Sequence, residues 1–575
     1  MIHTSVSRQL ISRFLGRYRS TVRVIVAATI LLNLTLFAGA IYMLLVYDMI
    51  LPSGSVATLI ALFGMLILVY LFQGIIDAAR SELLLRLARG IHHDLAPLVH
   101  HAAVTLPLRR GVPAGDGAQI VRDLDQVYGF IASPGPVALI DLPWVALFLI
   151  VLTLLHVWLG VAALLGIIAM AAIAWYASVR TQDASRDLAQ ITSERNARLN
   201  TELRLSEVAT AIGMRQRLSA RSAEADERYR TVQGALSTIV ARFGGAGRVF
   251  RIFVQSLILT VGALLVMDNE ASGGIIIASS VLAGRALAPV DQAIATWRGF
   301  VAARTGWERI VQAISESPPP SAREVQLDPP SRSISVNGLW LAPPGSREPV
   351  VKGVSFTLQA GEALAIIGPS AAGKTSFIKA LLGIWTPLRG EVRFDGALHS
   401  HWDADVLGAA IGYVPQSVEL VDGTVGENIA RLDPLASSGQ IIEAARKAGL
   451  HETILALPNG YDTRLTSGGL ELSAGQRQRL GLARALFGDP FLLVLDEANS
   501  NLDQDGDAAL ARAILAHRQK GGIVVMITHR PATLGPVTHL GVMRAGQLAD
   551  LGSKDDVLQR TFKQPASVST QDAAA

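Results

Sequence analysis

The sequence predicts an α-helical domain of six membrane spans followed by an α/β domain with a largely parallel sheet. Three observations carry this prediction. Apolar residues make up 50% of the 575-residue chain and its mean hydropathy is +0.38, values that suit a protein partly in lipid. Prolines 318, 319, 320, 329 and 330 then break the helical pattern. Beyond them, strand-like runs such as "EALAIIG" and "FLLVLDE" alternate with helical segments, as in a parallel α/β sheet.

A helix crossing a bilayer needs roughly 20 mostly apolar residues. Such runs occur near residues 22–46, 56–76, 136–155, 157–179, 249–267 and 273–290. Arg8, Arg13, Arg17, Arg19 and Arg23 before the first run resemble a signal peptide, but the run is too long and further spans follow it. The first, third and fifth connections, around Asp48–Ser55, Leu154–Trp158 and Asp268–Ser272, lack Lys and Arg, whereas the others are rich in Arg. By the positive-inside rule the N-terminus, the connections at 77–135 and 180–248 and the C-terminal domain face the cytoplasm. The two long connections read as helices that extend the spans inward.

The expected divisions are a transmembrane domain at 1–314, a linker at 315–331, the α/β domain at 332–563 and a disordered tail at 564–575. The net charge of +4 and pI near 9.3 do not indicate nucleic acid, because the arginines flank apolar runs instead of forming one tract. With no cysteine in the chain, disulfides, thiolate metal sites and cysteine-protease chemistry are excluded. Asp48, Asp141 and Arg285 fall in or beside apolar runs, where ionisable groups are either functional or placed to reach the headgroups.

Gly368, Pro369, Ser370, Ala371, Ala372, Gly373, Lys374 and Thr375 form a phosphate-binding loop between a strand and a helix, with Ser376 continuing the helix. Glycine lets backbone N–H groups face phosphate oxygens, and the helix N-terminus adds positive partial charge. This marks the domain as an α/β P-loop NTPase, with Lys374 expected on the β- and γ-phosphates and Thr375 on Mg²⁺. Asp496 and Glu497 end the buried run "FLLVLDE", where acids alone would more often form a helix cap or a surface pair. After a phosphate loop, Asp496 suits a Mg²⁺ partner and Glu497 the group that polarises the attacking water.

Leu472-Ser473-Ala474-Gly475-Gln476 precedes the helical run "RQRLGLARAL". A serine there is by itself usually a helix cap, yet "LSAGQ" resembles the signature of ABC transporter ATPases. "YVPQ" with Gln416, "SNLD" with Asp503 and "ITHR" with His529 follow that family's order. The resemblance implies that Ser473, Gly475 and Gln476 bind the γ-phosphate held by a second subunit. It also implies that Gln416 joins the catalytic Mg²⁺ site to the membrane domain, that Asp503 communicates across the dimer and that His529 contacts the γ-phosphate. One signature per chain then requires a homodimer with two ATP molecules between its ATPase domains. Three departures stand out: Ala342 occupies the closest position to the usual adenine-stacking aromatic, with Trp340 nearby. Ala371 and Ala372 replace commoner loop residues, and Ser467 stands where exporters often carry glutamate.

The segments Tyr42 to Ser55, Val121 to Leu149 and Leu282 to Arg304, with "APPGS" and "EANSNLD", resemble type I secretion permease-ATPases of the protease-exporter branch. This resemblance implies ATP-driven export of polypeptides with a C-terminal secretion signal from the bacterial inner membrane, amid membrane lipid. It further implies a periplasmic membrane fusion protein and an outer-membrane channel as partners, and the short stretch before the first apolar run leads us to expect no N-terminal peptidase domain. An exporter of lipids or amphipathic small molecules would share the architecture. A non-transporting ATP switch would have no use for Glu497 and His529.

Overall fold

The computed structural model describes residues 2–111, 115–317, 327–465 and 472–562. The chain separates into two compact units, Met1–Leu106 with Ala114–Pro319, and Pro107–Pro113 with Pro320–Ala575. Part of the expected linker, the whole expected tail and Ser467 lie outside the described residues.

The first unit is helical. Helix α1 (Ile2–Thr35) continues through Phe37–Leu45 into a π-helical turn at Val46–Ile50. It is followed by α2 (Val56–Arg110), α3 (Gly115–Ile131), α4 (Gly135–Asp141), α5 (Trp144–Leu155), α6 (Val157–Arg204), α7 (Arg215–Met267) and α8 (Gly273–Glu316). Among the described residues five segments are long and apolar enough to cross a membrane, and there are six if the pair α4 and α5, bent by 43°, is one span. The run at 136–155 is therefore bent within its length. Pro143 supplies no N–H and its ring crowds the carbonyl one turn back, so the helical ladder is interrupted there. At 1.5 Å per residue the 48 residues of α6 reach about 72 Å, well beyond a hydrocarbon core of about 30 Å. Helices α6 and α7 thus run on past the membrane, joined by a short turn containing Ser206–Ala211.

Lipid tails are as apolar as leucine, so contact between spans depends on close packing. Phe148, Leu152, Leu159, Met170, Ile258 and Leu287 form a fully buried centre, and Phe37 stacks on Phe148 at 4.8 Å. A Cβ at Gly166 would fall 2.4 Å from Val254 Cγ1, so the absence of a side chain there lets α6 and α7 approach.

The ionisable residues in the spans have distinct environments. Asp48 accepts from Ser272 Oγ at 2.5 Å and from Gly274 N at 2.7 Å, placing a carboxylate at the positive N-terminus of α8. Asp141 meets Arg80 Nη1 at 3.3 Å and accepts from Asn33 at 3.0 Å, tying α1, α2 and α4 together beside the bend. Arg285 is exposed.

The second unit contains two main sheets. Strands β1 (Ser333–Leu341), β2 (Val351–Gln359), β4 (Arg389–Phe394) and β5 (Ala397–Leu398) form an antiparallel sheet in the order β2-β1-β4-β5. The other joins β3 (Ala363–Ile367), β6 (Ile411–Val414), β9 (Leu492–Asp496), β10 (Ile523–Ile527), β11 (His539–Arg544) and β12 (Gln547–Ser553). Its order is β12-β11-β3-β10-β9-β6, parallel throughout except at the β12 edge. Strands β7 (Gly423–Thr424) and β8 (Arg464–Leu465) form a separate short pair. Every residue of β9 and β10 is buried, which explains why these strands read as continuous apolar runs. Because β3, β6, β9 and β10 are parallel, the segments after them emerge at one end of the sheet, where α/β proteins build their sites.

Candidate functional site

The loop after β3 leads into helix α9 (Lys374–Leu381), and its geometry requires its glycines. Gly368 has φ +154° and Gly373 φ +97°; a Cβ would fall 2.2 Å from Met543 O at the first and 2.7 Å from Val350 O at the second. Ala371 adopts a left-handed φ of 62° although it has a Cβ, a strain not evident from its small size in the sequence. Lys374 is 6% exposed, and its Nζ donates to Gly368 O at 2.7 Å and Pro369 O at 2.9 Å. Burial holds its ammonium below the usual lysine range, partly opposed by Glu497 and Asp496. The loop therefore carries a cation whose ammonium is curled onto loop carbonyls.

Asp496 ends β9 with 1% exposure. Its Oδ1 accepts from Thr375 Oγ1 at 3.3 Å, while Oδ2 has no partner. Burial raises its pKa, and the Thr375 hydrogen bond opposes the rise. A buried carboxylate oxygen without a donor, beside a hydroxyl at a helix N-terminus, fits a divalent cation carried in with a phosphate. No group of three or more His, Cys, Asp or Glu able to hold a metal occurs among the described residues. Such an ion would need oxygens from its nucleotide.

Glu497 follows in a left-handed conformation, φ 53°, with its N–H donating to Ile527 O at 3.2 Å. Its Oε2 accepts from Gln416 Nε2 at 3.0 Å, and its Oε1 lies 3.3 Å from His529 Nε2. Gln416, Glu497 and His529 thus meet although β6, β9 and β10 are far apart in sequence. Left-handed backbone in a non-glycine residue is found where surrounding structure holds it. Here the turn out of β9 brings the carboxylate between an amide and an imidazole.

Ser473 is the N-cap of α10 (Ala474–Leu486). Its Oγ accepts from Gln476 N at 3.2 Å and its N–H donates to Gln476 Oε1 at 2.8 Å, a reciprocal capping box. The capping reading and the signature reading therefore coincide on the same residues. Among the described residues no hydrogen bond joins Ser473, Gly475 or Gln476 to the phosphate loop. Asp503 caps α11 (Gln504–Gln519), accepting from Gly506 N at 2.9 Å and pairing with Arg479. The Gly506 N–H, then Arg479, holds its carboxyl below the usual range.

Gln478, which the sequence reading did not single out, joins these motifs. It donates to Glu497 O at 3.3 Å and accepts from Asn501 N at 3.2 Å, linking α10 to the turn that carries the acid. Its position two residues beyond Gln476 was the one available signal. Ala342 is 6% exposed and Trp340 37% exposed.

Comparison with known proteins fits this geometry. Residues 22–290 match the "ABC transporter transmembrane region" family and residues 351–500 the "ABC transporter" family. The chain is 43% identical to the type I secretion system ATP-binding protein PrsD of Rhizobium meliloti (strain 1021), covering 95% of this chain and 93% of the relative. It is 26% identical to the exotoxin translocation ATP-binding protein PaxB of Pasteurella aerogenes, over 94% of this chain and 76% of that one. The structure of a bacterial Atm1-family ABC exporter with ATP bound shares the fold, with a TM-score of 0.80 at 22% identity, covering 95% of this chain and 96% of that one. The chain belongs to the type I secretion system ATP-binding proteins of the ABC transporter family, as a multi-pass membrane ATPase that couples ATP hydrolysis to transport.

Proposed function

We propose that the chain exports unfolded polypeptides carrying a C-terminal secretion signal across the bacterial inner membrane, as a homodimer with its ATPase domains in the cytoplasm. A periplasmic membrane fusion protein and an outer-membrane channel continue the path. The observation that carries this reading is the near full-length 43% identity to a type I secretion ATP-binding protein. We take residues 1–314 as the transmembrane domain, 315–331 as the linker, 332–563 as the ATP-binding domain and 564–575 as the tail.

In the proposed cycle, N–H groups of the loop from Gly368 to Gly373, with Lys374 and Ser376, hold the phosphates of ATP. Thr375, Asp496 and Gln416 would hold Mg²⁺, which would supply countercharge to the phosphates. Glu497 orients and polarises the attacking water, and His529 contacts the γ-phosphate. Ser473, Gly475 and Gln476 reach the nucleotide on the opposite subunit, and Asp503 transmits its presence. Closure on ATP and reopening after hydrolysis bias two conformations of the membrane domain.

The test is secretion from cells expressing the chain with its fusion protein and outer-membrane channel, comparing wild type with Glu497→Gln. Appearance in the medium of a protein with an intact C-terminal signal, with wild type only, supports the reading. Movement of lipid or dye by the purified dimer with no secreted polypeptide overturns the cargo assignment.

A further inference from the structure

Arg285 is the only ionisable residue in the apolar run 273–290. It is also the only exposed residue between Gly274 and Asp291. At 1.5 Å per residue it lies about 18 Å along α8 from Gly273, inside a hydrocarbon core about 30 Å thick. The nearest acid along the helix, Asp291, is held by Arg251 at 2.9 Å, and Arg285 makes no hydrogen bond or ion pair with any described residue. A guanidinium cannot shed its charge and presents five donors with no acceptor. Left against lipid at that depth it would be costly, and such residues face a bundle interior or a water-filled cavity.

The face of α8 that continues beyond Arg285 differs from a lipid-facing one. Along the face of Arg285, Ala288 is half-buried and Gln292, Ala295 and Gly299 are exposed, all of them small or polar. On the adjoining helix, Gln255 approaches Gly284 closely and donates to Ser280 O at 3.3 Å. By contrast, α2 exposes Ile60, Phe63, Ile67, Leu71 and Ile75, a surface suited to acyl chains. Small side chains beyond Arg285 leave room for an extended chain, while the guanidinium offers donors to its carboxylates and carbonyls.

We propose that Arg285 lines a water-filled path through the membrane domain and there contacts the polypeptide in transit, through its acidic side chains and backbone carbonyl oxygens. This rests on the polypeptide-export reading above. The chain has no cysteine, so Arg285→Cys supplies a single thiol without further engineering. A thiol ionises readily only in water, so a charged, membrane-impermeant thiol reagent modifies the Arg285→Cys dimer in membrane vesicles at least about tenfold faster than an Ile67→Cys dimer. In secretion assays with cargo bearing a C-terminal signal, Arg285→Lys stays near wild type. Arg285→Ala falls by about tenfold, the scale of one lost charge-assisted contact, while purified Arg285→Ala hydrolyses ATP at the wild-type rate.

Labelling no faster than at Ile67→Cys overturns the water-filled path. Full secretion by Arg285→Ala, with wild type secreting, overturns the cargo contact alone, and loss of its ATPase activity would show a structural role instead. If wild type itself secretes nothing in the complete system, the export reading fails, and the cargo contact with it.

Discussion

Glu497 and His529 meet beyond the ends of two neighbouring parallel strands, Oε1 to Nε2 at 3.3 Å, while Gln416 donates to the other carboxylate oxygen at 3.0 Å. The carboxylate is therefore held from both sides at the mouth of the phosphate loop. Glu497→Gln keeps the shape and removes the proposed base. ATP turnover should fall by about 10²–10⁴-fold, the usual worth of a positioned acid or base, with nucleotide binding retained. His529→Ala should also slow turnover. Steady-state ATPase assays at saturating Mg-ATP, paired with binding measurements, check both.

Lys374 gives the proposed nucleotide site a pH dependence. Its folded pKa lies below the ordinary 10.5 because of burial, so between the two values the unfolded chain holds more protons and stability of the free protein rises with pH. Bound phosphates supply countercharge and restore the proton. ATP affinity should therefore weaken as pH rises through the depressed value, and Lys374→Met should remove this limb. Calorimetric titration of ATP across the alkaline range reads the effect.

Asp496 behaves in the opposite sense. Its folded pKa is raised above 3.8, so stability falls as pH climbs from the ordinary value through the raised one, and above the raised value the buried charge is a standing cost. Asp496→Asn should melt no lower than wild type without nucleotide, yet should lose the extra stabilisation that Mg²⁺ adds to ATP. Thermal melts of Glu497→Gln, with and without Asp496→Asn, in ATP with Mg²⁺ or chelator, check it. An unchanged Mg²⁺ response would sink the proposed metal role.

Asp123 anchors α3 to α8 outside the spans. It is 0% exposed and accepts two hydrogen bonds from Arg309, at 2.6 and 2.7 Å, with a third from Gln119 at 2.9 Å. The Asp123 carboxylate raises the Arg309 pKa. Asp123→Ala should destabilise the membrane domain by about 2 kcal/mol, below the ~3–5 of a fully buried broken pair, because the Arg309 side chain, 46% exposed, can turn to water. Melting in detergent measures this.

Ala371 pays a left-handed backbone cost that glycine would avoid, with φ 62°. Ala371→Gly should stabilise the ATPase domain by about 1 kcal/mol, with hydrolysis close to wild type. Chemical denaturation gives the first quantity and an ATPase assay the second.

Much of this architecture was legible from linear patterns. Apolar length identified the five long apolar helices and the bent pair α4 and α5, and the strand, glycine loop and helix from Ala363 to Leu381 carried their own local signals. Ser473 could be read as a cap because a cap acts within one turn, and it serves as one, whereas the capping role of Asp503 emerged only in the fold. The break at Pro143 was harder to see: hydropathy averages over the window and does not register one missing N–H. Arg80 with Asp141, and Gln478 with Glu497, were invisible because each pair joins elements whose separation in sequence says nothing about contact.

By itself, the sequence determined where the chain can enter lipid, where a phosphate can be cradled and which residue types are present to hydrolyse ATP, because hydropathy, turn geometry and side-chain chemistry are local properties. The tertiary structure decided which of those groups meet. Parallel strands β6, β9 and β10 place Gln416, Glu497 and His529 at one sheet end, and the turn after β9 forces Glu497 into a left-handed backbone. Packing likewise committed Asp48 to a helix N-terminus and Asp141 to Arg80 while leaving Arg285 exposed, since only the folded arrangement determines whether a charge finds a partner.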